Sequence, residues 1–392
     1  MRSDTIKKGV ERSPHRALLH GLGHPREDFD RPFIGIVNSY NTIIPGHMHL
    51  QGVAQQVKEG IRAAGGVPFE FNTIGVCDGI AMNHMGMKFS LPSRELIADA
   101  VEIMAQAHRF DALVFIPNCD KIVPGMLIAA ARLDLPCVFV SGGPMLMGRI
   151  PTKDGLKDID LINCFEGVGR VLSGQMSEKE LQVWEEHACP TCGSCAPIAT
   201  ANTMNCLTEA MGLGLPGNGT IPGVDSRRLA LAFLAGELVM DVFKRGLTAR
   251  KMLTRDAFHN AFAVDMALGG STNTVLHLPA IAHAAEVDFP LSAINEISDK
   301  VPHLCDLRPY GSYGLADLDS AGGIPAVMKE ISKRLKPGAT TVLGKTIGDI
   351  FKDAEVVDRR VIHPLDEPLH ATGGVAILFG NLAPEGAVVK SA

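Results

Sequence analysis

The chain has 392 residues, 46% hydrophobic and 20% charged, with a formal net charge of -6; it is long enough for one large domain or more than one. The mild acidity gives no electrostatic footprint for nucleic acid or an anionic membrane, and no apolar run reaches membrane-spanning length. Nine cysteines in so long a chain read as reduced thiols or metal ligands rather than a disulfide framework, and the basic start has no apolar segment behind it, so a soluble cytoplasmic protein is expected.

Strand and helix patterns alternate at first. Residues 33–38 (Phe-Ile-Gly-Ile-Val-Asn) read as a buried strand, and 48–64 as a helix with Leu50, Val53, Val57 and Ile61 at three-to-four spacing. Gly65-Gly66 ends that helix. A strand over 68–74, a helix over 93–108, a strand over 112–116, a helix over 124–133 and a strand over 137–141 follow. The alternation predicts right-handed βαβ units and a parallel sheet. Cys119 and Ser141 then fall at C-terminal strand ends, the edge where open α/β sheets bind ligands.

From about residue 177 the pattern turns helical, with helices expected over 178–186, 197–211, 226–244, 255–268, 272–285 and 321–334. Pro197 suits a first helical turn. Residues 374–380 and 387–390 read as two strands joined by a Pro-Glu-Gly turn. Two strands alone do not close a core. The expected fold class is therefore α/β: a parallel-sheet βαβ domain with a helical middle over 1–365, then the first strands of an incomplete β-rich domain over 366–392. No internal repeat is visible.

Three cysteines stand in chemically loaded settings. Cys77 precedes Asp78, Cys119 precedes Asp120 and Lys121, and Cys195 closes the run Cys189-Pro-Thr-Cys192-Gly-Ser-Cys195. Thiolates beside carboxylates suggest two inorganic centres, sulfur holding a soft iron–sulfur cluster and oxygen a hard divalent cation. The helix start after Lys121 would favour a thiolate at Cys119. A lysine beside an acidic metal site can also carry CO2 as a carbamate, turning a cation into an anionic ligand. The plainer alternative for both Cys-Asp pairs is a small buried cysteine beside a solvated acid. The Cys189–Cys195 run also fits half a zinc site or a redox pair, although no matching second half occurs. Cys137, Cys164, Cys206 and Cys305 read as core residues, and His47, His49 and His84 as ordinary satisfied histidines. Gly269-Gly270-Ser271-Thr272-Asn273-Thr274 opens a helix and suits a carboxylate or phosphate. Gly212–Thr220 is a pocket turn or a plain loop. Neither has a nucleotide-binding fingerprint.

These residues resemble the dihydroxy-acid dehydratase family, the iron–sulfur dehydratases that include 6-phosphogluconate dehydratases. The resemblance covers essentially the whole chain and is carried by Asn72-Thr-Ile-Gly-Val-Cys77-Asp78-Gly-Ile-Ala-Met82, Ser90-Leu-Pro-Ser-Arg-Glu95, Asn118 to Met126, Ser141-Gly-Gly-Pro-Met145, Cys192 to Met204 and Gly269-Gly-Ser-Thr-Asn-Thr-Val-Leu-His277. It implies that Cys119 and Cys195 hold an iron–sulfur cluster and that Asp78, Asp120 and a carbamylated Lys121 hold Mg2+. Ser141, Ser271, Thr272 and Asn273 become substrate-pocket candidates. Members with a 2Fe-2S centre carry a cysteine where this chain has Gly46, so it is more similar to members with a 4Fe-4S centre, with Cys77 the candidate third thiolate and Cys192 in reserve.

The family's base serine and a further Mg2+-binding glutamate belong to a C-terminal domain whose motifs do not occur in these residues. The resemblance therefore implies a truncated chain unable to complete the reaction, with no catalytic base of its own. The implied activity is dehydration of 2,3-dihydroxy-3-methyl carboxylates to 2-keto acids in branched-chain amino-acid biosynthesis, by a homodimer or larger homo-oligomer. The rivals are a sugar-acid dehydratase of the same family and, from another class, a non-catalytic zinc- or redox-binding protein using Cys189, Cys192 and Cys195.

Overall fold

The computed structural model describes residues 1–153 and 155–391. Its centre is a parallel four-stranded sheet. β1 (Phe33–Asn38), β2 (Val67–Asn72), β3 (Ala112–Ile116) and β4 (Cys137–Phe139) stand in the order β2-β1-β3-β4. β1 pairs on one side with β2, Phe33 opposite Val67, and on the other with β3, Ile34 opposite Ala112. Every residue of β1, β3 and β4 is buried. That is why they read as unbroken apolar runs rather than alternating ones.

The helices between the strands are α1 (Leu50–Ala63), α2 (Ser90–Ala107) and α3 (Ile122–Leu133). After β2 the chain returns past β1 to lay down β3, so the strand order reverses between β1 and β3. The C-terminal edge at such a reversal opens a crevice, because the flanking connections leave in opposite directions.

Beyond the sheet come a hairpin, β5 (Gly148–Thr152) with β6 (Gly155–Ile159), and a run of helices. They are α4 (Leu161–Leu172), α5 (Glu178–His187), α6 (Thr200–Ala210), α7 (Ser226–Arg245), α8 (Arg255–Leu268), α9 (Thr274–Ala284) and α10 (Leu291–Ser298). α7 lies against α1 and the sheet, while α6 and α8 pack on each other, α6 buried along its whole length and α8 buried from Ala257 on except at His259. β7 (Val375–Gly380) and β8 (Ala383–Lys390) form an antiparallel pair. Asn295 of α10 exchanges two 2.8 Å hydrogen bonds with the Ile377 backbone. Lys390 donates to the carbonyls of Gly269 and Gly270 at 2.6 and 2.9 Å.

The parallel α/β core and helical middle are as the sequence predicts, with differences at particular points. Pro197 does not open a helix: α6 begins at Thr200, because Ala199 is extended and the Asn202 side chain takes the carbonyls of Cys195 and Pro197. The helix expected over 321–334 is instead Gly323–Glu330 followed by a 3-10 turn, Ser332–Arg334. Gly322 and Gly323, at φ 118° and 64°, displace its start.

Candidate active site

Three strands deliver their C-terminal ends to one place. β2 runs on to Cys77-Asp78, β3 to Asn118-Cys119-Asp120-Lys121, and β1 to Ser39 and the Pro45-Gly46-His47 turn. A fourth segment joins them. The Cys192–Cys195 turn binds Pro45 through Gly193 N–H at 3.2 Å, and Gly143 through Ser194 N–H at 3.0 Å. A Cβ on Gly46 would approach the Gly193 carbonyl oxygen to 3.2 Å and Ser194 N to 3.4 Å. The turn leading to Cys195 thus crowds a side chain at position 46 and would have to give by a few tenths of an ångström to admit one.

The thiols of Cys77 and Cys119 hydrogen-bond to one another, and Cys195 is within electrostatic reach of both. That hydrogen bond pulls the Cys77 thiol down from its ordinary value. Cys119 is driven far up by that bond and by burial, and burial holds Cys195 at about 12.

Beside the thiols lie two carboxyls and an amine. Lys121 Nζ is 3.0 Å from Asp78 Oδ2 and 3.1 Å from Asp120 Oδ2, and Ser90 Oγ donates to Asp78 Oδ1 at 2.6 Å. Burial alone would raise Asp78, but hydrogen bonding from Asp120 and Ser90 and the charge of Lys121 bring it below the usual carboxylate range. Asp120 moves the other way, to about 7, through burial and the facing Asp78 carboxylate. The two carboxyls therefore share a proton near neutral pH. Asp120 Oδ1 is buried with no hydrogen-bond partner among the described residues.

Such a pair suits a divalent cation, which would replace the shared proton and take the free oxygen. The adjacent thiols suit an iron–sulfur cluster. Among the described residues no three His, Cys, Asp or Glu side chains close round a single point, as one ion held by such donors alone would require. A cluster several atoms across does not ask for that convergence, and the cation site counts a lysine among its residues.

The remaining candidates fall into two groups. Ser271, Asn273 and Thr200 form a partly open polar knot. Ser271 Oγ is 2.9 Å from Thr200 Oγ1, which also accepts from Asn273 Nδ2 at 2.8 Å, and Thr272 lies between them in the same loop. Ser141 is different. It is fully buried, with its hydroxyl given to the Asn218 carbonyl and its N–H to Asn218 Oδ1, so it supports the loop rather than facing open space. Cys137, Cys206 and Cys305 are buried in the main core, and Cys164 packs against a smaller one. His47, His49 and His84 are bonded to the Ser39, Gly142 and Ile80 carbonyls, while His47 Nε2, His49 Nδ1 and His277 Nε2 are buried without a partner among the described residues. Arg94, which bonds His277, and Asn118, which binds the Gly46 and Gly143 carbonyls, are site residues that local sequence pattern did not single out.

Residues 31–350 match the family model described as dihydroxy-acid/6-phosphogluconate dehydratase N-terminal, and residues 360–392 match its C-terminal counterpart. The chain belongs to this dehydratase family. Similar proteins named dihydroxy-acid dehydratase occur in Dehalococcoides mccartyi at 59% identity over 390 residues, and in Caldanaerobacter subterraneus and Desulfosudis oleivorans at 61% and 60% over 393. Each alignment covers 100% of this chain and 70% of the relative. Membership makes the protein a hydro-lyase, and every thiol, carboxyl and amine described above lies within the N-terminal match. Among the described residues no helix is long and apolar enough to cross a membrane.

Proposed function

We propose that this protein removes water from 2,3-dihydroxy-3-methyl carboxylates to give 2-keto acids, with Cys77, Cys119 and Cys195 holding an iron–sulfur cluster and Asp78, Asp120 and Lys121 holding Mg2+. The observation that carries the reading is the meeting of Cys77-Asp78 with Cys119-Asp120-Lys121 at the strand ends flanking β1, thiol hydrogen-bonded to thiol and carboxyl to carboxyl. Gly46 supports Cys77 as third thiolate, since the Cys195 turn crowds the place of any side chain there. When bound, the two centres would supply Lewis acidity, the cation toward the substrate carboxylate and C2 oxygen and the cluster toward the C3 hydroxyl.

Each residue has a task in that scheme. Asp120 holds the proton it shares with Asp78 until a cation takes its place, so metal uptake releases a proton. Lys121 lies against both carboxyls and offsets the single negative charge they carry between them in the metal-free protein. As free amine it can add CO2, forming an N–C bond and releasing a proton, which makes it an anionic ligand. Thr200, Ser271 and Asn273 offer hydroxyl and amide groups to the hydroxy acid. Overall, C2 loses a proton, the C3–O bond breaks, the hydroxyl leaves as water, and the resulting enol tautomerises to the ketone. In the branched-chain routes the products are 3-methyl-2-oxobutanoate and 3-methyl-2-oxopentanoate.

Anaerobic iron and sulfide analysis with Cys77, Cys119 and Cys195 changed to serine one at a time tests the cluster. Each change is expected to abolish or sharply lower bound iron, while Cys192→Ser leaves it. Colourless, zinc-loaded wild-type protein would end the reading. Assay of protein with the relatives' full length on 2,3-dihydroxy-3-methylbutanoate beside gluconate and 6-phosphogluconate separates the two substrate classes that the family model's description spans. Turnover of the sugar acids alone would move the assignment to them.

A further inference from the structure

Three elements far apart in sequence meet next to the Asp78–Lys121 pair. Arg94 comes from α2, Lys121 sits at the start of α3, and His277 comes from α9, which packs on α3. His277 is fully buried. Its Nδ1 lies 3.2 Å from Arg94 Nη1, and Arg94 is itself held by Glu95 Oε1 at 3.0 and 2.7 Å. A guanidinium only donates, so Nδ1 accepts and the single ring proton of the neutral imidazole sits on Nε2. Burial, with Lys121 and Arg94 nearby, keeps that imidazole neutral by pushing its pKa down to about 3.

Nε2 is buried and has no hydrogen-bond partner among the described residues. Buried donors in folded proteins are nearly always paired, because leaving one bare forfeits the hydrogen bond it had in water. Among the described residues no acceptor is bonded to it, the bare Asp120 Oδ1 included. Lys121 and Arg94 are cations, and both oxygens of Asp78 are already engaged, by Ser90 and Lys121. An N–H donor flanked by two positive charges calls for an anion.

We infer that His277 Nε2–H is an anion-holding donor of this centre, taking one carboxylate-type oxygen that arrives with the site's ligands. Two sources share that chemistry: the carboxylate of the dihydroxy-acid substrate, and the carboxylate formed when CO2 adds to Lys121. Arg94 is the positioning residue that fixes the tautomer. The inference rests on the function proposed above and adds to it a residue that neither the thiols nor the carboxyls supply.

The test uses anaerobically reconstituted protein with Mg2+, as wild type, His277→Leu, which removes the donor, and His277→Gln, which restores an N–H near the place of Nε2. Calorimetry reads affinity for 2,3-dihydroxy-3-methylbutanoate. Carbon-13 NMR after labelled bicarbonate reads the lysine adduct. His277→Leu is expected to weaken one of the two at least tenfold, and His277→Gln to recover most of the loss. A fall in substrate affinity with the adduct intact makes the substrate the source, and the reverse pattern makes it the CO2 adduct. Two unchanged readouts in His277→Leu overturn the inference, as does equal loss in Leu and Gln, which marks a merely structural histidine. If His277→Leu does not fold, the wild-type imidazole nitrogen-15 spectrum decides: an Nε2–H resonance that moves with neither ligand overturns it. Wild-type protein that shows neither binding nor adduct would instead bring down the proposed function, and this inference with it.

Discussion

Asn118 is wholly buried, and its amide joins three loops: Nδ2 donates to the Gly46 carbonyl at 2.8 Å and the Gly143 carbonyl at 2.9 Å, while Oδ1 accepts from Asn205 at 3.2 Å. One side chain thus ties the turn after β1 and the loop after β4 to the residue preceding Cys119. Asn118→Ala would strand the Gly46 carbonyl and the Asn205 amide away from water, at about 1–3 kcal/mol for each buried group left bare, while the Gly143 carbonyl keeps its bonds from Ser194. Asn118→Asp should be no better, since a carboxylate has no proton to give a carbonyl. Urea unfolding of the metal-free protein measures this, and a change below about 1 kcal/mol in both variants would contradict the network. Asp120 calls for a different substitution. Asp120→Asn keeps the shape but removes the oxygen anion that a cation would recruit, so Mg2+ affinity by calorimetry should fall about 100-fold, or about 2.7 kcal/mol. Unchanged affinity would remove Asp120 from the site.

Between elements, the closest approach over the sheet is where α1 crosses α7. A Cβ at Gly60 would overlap the Phe233 carbonyl, and one at Gly236 would overlap the Val57 carbonyl, so each helix puts a glycine against the other's backbone. Gly60→Ala or Gly236→Ala should destabilise by about 1–3 kcal/mol through overpacking. Gly52→Ala, in the same helix but facing open space, should gain about 0.5–1 kcal/mol from helix propensity. Thermal unfolding of the three variants checks the contrast, and similar shifts in all three would refute it. Elements with a strong pattern were legible in the sequence: β1 and β3 end within the predicted ranges because burial on both faces leaves continuous apolar residues, and α8 does so because most of it from Ala257 on is buried. The β5–β6 hairpin and α4 were not, since β6 is exposed over most of its length and carries no core pattern. The site divides in the same way. Cys77-Asp78 and Cys119-Asp120-Lys121 are local runs that chemistry marks at once. The Arg94–His277 contact joins residues 183 apart, and no spacing rule connects them.

At the scale of the whole molecule, buried charges form the floor beneath the site. Glu209 accepts from the N–H groups of Gly217 and Gly219 at 3.1 and 3.3 Å. Arg228, fully buried, donates to the carbonyls of Ser141, Asn218, Gly217 and Ile221. Together they set the loop that receives Ser141 beside Asn118 and Gly143. Burial raises Glu209 to about 8 despite the two N–H groups, and likewise raises Asp265 to about 7. Below the ordinary carboxylate range both folded and unfolded chains carry the Glu209 proton, and its contribution to stability is fully present. As pH rises toward 8 the unfolded chain gives up that proton while the folded chain keeps it, so stability falls by up to about 1.4 kcal/mol per pH unit. Above 8 the loss levels off. Glu209→Gln has no proton to retain, but its amide satisfies only one of the two N–H groups. The variant should therefore be less stable than wild type near pH 5, and the gap should close or reverse by pH 8. Asp265 titrates in both proteins, so the difference between their urea-unfolding curves isolates Glu209. Curves that stay parallel from pH 5 to 8 would mean that Glu209 is ionised in the folded protein and that the loop is held by a charge rather than by a buried acid.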